Sequence, residues 1–170
     1  MEDSSYNVYH VVIKDKRFDE EDTTPLLLGL NKLRDSAFCA IYAYVMIPGF
    51  VHILIREEES SLPGSIEYLH ECCFSDGEVE YVFEKIDSAK RFVEIFCYLA
   101  RLPVIKGMCD NPSEYAYGSW VNDYEGMCSI NICQTKIVLR RFGFDFMYQS
   151  VNNPQVIEDT KSFIDNSFVS

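Results

Sequence analysis

The chain is predicted to fold as an α+β domain of the ferredoxin-like (RRM-like) class: an antiparallel sheet with packed helices and a short helical C-terminal extension. Three observations predict it. Period-two and helical apolar patterns succeed one another in the order strand, helix, strand, strand, helix, strand. A Pro48-Gly49 pair divides one long apolar run into two strands. Finally, 170 residues with 48% hydrophobic content can close one core and are short for two. The expected division is a domain over residues 1–125 and a helical extension over 126–170 packed on it.

Taken in order, residues 6–14 alternate and are rich in Val and Tyr, which predicts a first strand. Thr24 followed by Pro25 is a helix-start signal. Leu26, Leu27, Leu30 and Leu33 then recur at helical spacing, so a helix is expected to about Asp35. Strands are expected around 39–46 and 50–56, and a short helix near 65–73 capped by Ser65. Val79, Tyr81 and Phe83 alternate with Glu80, Val82 and Glu84, giving a fourth strand with one wetter face. Ser88 caps a helix whose stripe is Phe92, Ile95, Phe96 and Leu99, ended by Pro103. Asn153-Pro154 opens a last helix.

Composition narrows the function classes. No apolar run is long enough to span a bilayer, and the acidic, polar start is not a signal sequence, so a cytoplasmic protein without a membrane partner is expected. The seven cysteines lie in apolar runs and read as reduced thiols. Cys72 and Cys73 with His70 lack the second ligand pair of a structural zinc site. The formal charge is -12. From Glu57 to Glu84 there are nine acidic residues and no Lys or Arg, which disfavours phosphate contacts on that face.

The most informative stretch is 41–55, where Phe50, His52 and Leu54 share one face of a strand after Pro48-Gly49. It resembles the Met-Pro-Asn-His-Val-His-Leu-Leu strand of the single-tyrosine HUH transposases, with Phe50 where the first His belongs. Tyr9-His10-Val11 is similar to the Tyr-His-Val opening of their REP-associated tyrosine transposase branch. The run 98–107 resembles that branch's Tyr-Ile-x-x-Asn-Pro-Val-x-Ala-Gly, and 111–120 resembles its Asn-Pro-x-x-Tyr-x-Trp-Ser-Ser-Tyr. The motifs stand in the family's order over nearly the whole chain. The fold this resemblance implies is the one that pattern alone predicts.

The resemblance implies a protein of DNA transposition and recombination, binding single-stranded or hairpin DNA. In that family a Mg or Mn ion polarises the scissile phosphate and a helix tyrosine attacks it. His52 matches the second metal histidine, and His10, on the strand expected beside it, can supply an imidazole or donate to a backbone carbonyl instead. The family's tyrosine falls near Cys73 by alignment, and Tyr68 is the nearest candidate for a displaced nucleophile. With Phe50 and Cys73 at degenerate motif positions, an inactive transposase with weak or absent metal binding is expected. Lys14, Lys16, Arg17, Arg140 and Arg141 are the candidate nucleic-acid contacts. Tyr98, Tyr115, Tyr117 and Trp120 can stack bases, with core packing the commoner use of such rings. The alternative is an acidic protein-interaction or regulatory module whose face from Glu57 to Glu84 binds a basic protein partner.

Overall fold

The structure, a computed structural model, describes residues 7–14, 24–36, 39–58, 61–73, 78–126 and 131–153. Its elements are β1 (Val8–Lys14), α1 (Thr24–Asp35), β2 (Cys39–Ile47), β3 (Phe50–Glu57), α2 (Leu62–Cys73), β4 (Glu80–Ile86), α3 (Ala89–Ile105), α4 (Thr135–Phe142) and α5 (Phe144–Val151). The sheet runs β2-β3-β1-β4 with every neighbouring pair antiparallel. The expected α+β class and the order of its first six elements are borne out. The helix expected after Asn153-Pro154, and the candidate contacts Lys16 and Arg17, lie outside the described residues.

Cross-strand register assigns each side chain to a face, because directly paired residues point the same way. His10 pairs with Leu54 and Glu84, and Val12 with His52 and Val82, so these share one face. α3 covers it. Tyr98 sets its ring 6.2 Å from that of His52, and Arg91 holds Glu84 through Nε at 2.6 Å. Val11, Ile13, Val51 and Ile53 are buried on the opposite face, where Leu26 of α1 and Ile66 and Leu69 of α2 gather around Ile13. α1 and α2 meet closely at Gly29: a Cβ there would fall 2.4 Å from Cys73 Sγ, so no larger residue fits without displacement.

Two element boundaries differ from expectation. α2 starts a turn before Ser65, which is buried inside the helix and donates its N–H to Ser61. The cap comes instead from Glu57, whose Oε1 accepts from Leu62 N–H at 2.8 Å while its Oε2 accepts from Asn7 at 3.0 Å. α3 runs past Pro103 to Ile105, because a proline in the last turn removes only one helical bond and the end is closed beyond it. There Met108 N–H reaches Pro103 C=O and Gly107, at φ 70°, turns the chain.

The outer edge of β2 is sealed by the chain that follows α3. Met46 N–H donates to Tyr117 C=O, Tyr44 N–H to Ser119 Oγ, and Gln134 N–H to Ile41 C=O. The hydroxyls of Tyr115 and Tyr124 donate to the Met46 and Tyr42 carbonyls, each at 2.6 Å. Every one of these bonds satisfies a backbone group that an edge strand would otherwise leave to water or to another chain. The motif at 111–120 is therefore an edge strap, with Asn111 and Glu114 forming a reciprocal capping box at its start. Trp120 is buried against Phe96, Tyr124 and Phe144, and α5 buries Met147 and Val151.

Candidate functional site

The two strand histidines meet. β1 and β3 are the central neighbours of the sheet, and their register sets His10 and His52 two residues apart on one face, with His10 Nε2 and His52 Nδ1 3.2 Å apart. Their rings stack at 25°. Both are buried, His10 completely. One ring nitrogen carries the proton that the other accepts, so the two imidazoles are joined by a hydrogen bond. Burial, with Arg91 nearby, lowers the His10 pKa to about 3. Burial, then His10 and Lys106, holds His52 well below its usual value.

A neutral imidazole is the form that binds metals, so protonation does not stand in the way of an ion here. The donor set does. Among the described residues no group of three or more His, Cys, Asp or Glu side chains is arranged to hold a metal. Phe50 occupies the position two residues before His52 on the same face, half-buried in apolar contact and without a donor atom. The hydrogen bond between the rings engages one nitrogen of each. Glu84, paired opposite His10, is engaged by the Arg91 guanidinium at 2.6 and 2.9 Å. The residues present do not fit the divalent ion that the family resemblance implies.

Tyr68 and Cys73 lie on α2, on the other side of the sheet from the histidines. Cys73 Sγ faces α1, 3.6 Å from the Pro25 carbonyl oxygen. A hydrogen bond with Cys72 raises the Tyr68 pKa. The structure thus does not bring either residue to His52. The tyrosine it does bring there is Tyr98, read in the sequence as a base-stacking or packing ring and not as a nucleophile. Its signal was legible: Arg91, Ile95, Tyr98 and Leu102 recur at helical spacing, and that stripe is the one α3 turns toward the sheet. The Arg91–Glu84–Glu94 ion-pair group above His10 was also missed, since nothing in the sequence sets β4 against the first turn of α3.

Of the candidate basic contacts, Lys14 pairs with Glu80 at 3.6 Å at the end of β1. Arg140 and Arg141 are exposed on α4, with the Arg141 guanidinium over the Phe142 ring. Tyr98 and Trp120 are buried, Tyr115 is half-buried with its hydroxyl in the strap, and Tyr117 alone of the four is largely exposed.

Compared with solved structures, the chain matches one described as a REP-associated tyrosine transposase bound to a REP hairpin, at a TM-score of 0.57 and 16% identity. The match covers 71% of this chain and 79% of that one. The chain has the fold of that transposase. No family model matches the sequence, and no curated protein matches it either. At 16% identity the likeness is one of fold, and it falls on the branch whose motifs the sequence resembles. No helix among the described residues is long and apolar enough to cross a membrane.

Proposed function

We propose that this chain is a non-cleaving derivative of the REP-associated tyrosine transposases, one that keeps their scaffold and has lost strand transfer. The observation that carries the reading is the His10–His52 pair, which is buried and joined by a hydrogen bond, with Phe50 in place of a ligand. Cleavage needs a metal-bound phosphate and an aligned nucleophile together. Among the described residues no third donor joins the imidazoles, and Tyr98, the tyrosine beside them, is buried. Incubating the protein with manganese and a labelled DNA hairpin, then separating under denaturing conditions, tests this. No covalent adduct is expected. An adduct lost in Tyr98→Phe or in Tyr68→Phe would overturn the reading and identify the nucleophile.

A second reading, that an acidic surface binds a basic protein partner, is favoured by the exposure of Glu67, Glu71 and Glu78 in a chain of formal charge -12. A salt titration with hairpin DNA separates it from DNA binding through Arg140 and Arg141. Neutralising several phosphates produces a steep loss of affinity with salt, and no such binding is expected at moderate salt if the acidic surface dominates.

A further inference from the structure

The two edges of the sheet are treated differently. That of β2 is strapped along its length, whereas no described residue pairs with the outer side of β4. Antiparallel ladders alternate, so the strap fixes which β4 groups face outward. Tyr44 and Met46 bond away from the sheet, hence Ile53 turns its backbone to Val11, and Val12 to Val82. The backbone groups of Tyr81, Phe83 and Lys85 are left pointing out. Phe83 is 52% exposed beside them, stacked edge-on against Tyr9, and this edge has no proline within it. Natural sheets usually blunt such an edge.

We propose that the β4 edge is a docking site for an extended, basic peptide segment of a partner protein, which adds to the sheet as a fifth strand. The proposal rests on the basic-partner reading and gives that partner a seat. Backbone bonds to Tyr81, Phe83 and Lys85 supply pairing, and Phe83 supplies an apolar contact for the peptide side chain that falls beside it on the same face. Charge selects the occupant. Glu78 and Asp87 are exposed at the two ends of the strand with Lys85 between them, while Glu80 is paired with Lys14 and Glu84 is held by Arg91. A second copy of this chain would bring the same carboxylates to the seam, where like charges oppose pairing.

The test uses the full chain and a fluorescein-labelled ten-residue peptide of alternating lysine and valine, with a glutamate–valine peptide as counterpart. Anisotropy should show binding of the lysine peptide only. Hydrogen exchange should show protection arising at the amides of Tyr81, Phe83 and Lys85. Phe83→Pro removes an outward N–H while the ladder to β1 is made by Val82 and Glu84, and should weaken binding tenfold or more; Phe83→Ala should weaken it less. Should Phe83→Pro disturb the fold, exchange on the unmodified chain still decides. Binding without protection at these amides, with Phe83→Ala equal to the original, would overturn the edge site and leave the basic-partner reading standing. No binding of the lysine peptide would overturn both. Protection of β4 without peptide, with a dimer by sedimentation, would overturn the proposal in favour of a second copy.

Discussion

Acid should unfold this domain through its histidine pair before its carboxylates titrate. In the folded state burial lowers the His10 pKa to about 3, and His52 is displaced in the same direction. Unfolded, both return to about 6.5. Below that pH the unfolded chain takes up protons that the folded chain refuses, so stability is full above about 6.5 and falls as pH falls toward the folded value. At about 1.4 kcal/mol per pH unit, His10 alone removes about 2 kcal/mol by pH 5 and about 5 kcal/mol by pH 3. Domains of this kind are stable by only about 5–15 kcal/mol. The assay is urea denaturation from pH 7.5 to pH 5, in a His70→Gln background so that the third histidine does not contribute. His10→Leu with His52→Leu replaces both partners by apolar groups, which is close to neutral when the shape is kept; that variant should lose the slope. A midpoint in the parent that stays flat from pH 7 to pH 5, or an equal slope in the double variant, would refute the buried neutral pair.

Other perturbations have equally definite outcomes. Tyr124→Phe removes the hydroxyl bonded to the Tyr42 carbonyl and should cost about 1–3 kcal/mol in urea denaturation, since a buried acceptor is left without it. Glu57→Ala removes the cap of α2 and the bond to Asn7; a loss of about 1 kcal/mol is expected, read from the thermal midpoint, and Glu57→Gln should recover part of it. Gly29→Ala places a Cβ against Cys73 Sγ and should destabilise by about 1–3 kcal/mol, with Cys73→Ala in the same chain restoring most of the loss. Manganese titration calorimetry should give no heat attributable to His52: a tight site abolished by His52→Ala would contradict the donor set described here.

The strands and helices were legible because each carries a period that its burial enforces. Leu26, Leu30 and Leu33 are all buried as their spacing requires, and Pro48-Gly49 turns where it must, with Gly49 at φ 80°. The neighbouring of His10 and His52 followed from fold class alone. Their bond did not, because register between strands forty residues apart is set by turns and packing rather than by local pattern. Residues 57–84 read as a uniformly repellent acidic run, yet Glu57 caps a helix and Glu58, Glu80 and Glu84 hold Arg56, Lys14 and Arg91. Sequence records a carboxylate's charge but not its partner. The nucleophile candidates failed to meet His52 for a topological reason: the helix after β3 returns on the far side of the sheet, and only the helix after β4 crosses the histidine face.

The strap along β2 also limits how large an assembly this chain can build. Edge-to-edge growth of sheets into an open-ended fibre requires every unit to offer two edges, so that each addition leaves a new one exposed. With Tyr115, Tyr117, Ser119 and Tyr124 occupying one edge, a second copy pairing at β4 would bring its own strapped edge, and growth would stop at two chains. Damage that releases the strap, for example loss of the Tyr115 and Tyr124 hydroxyl anchors together, converts a chain-terminating unit into a propagating one.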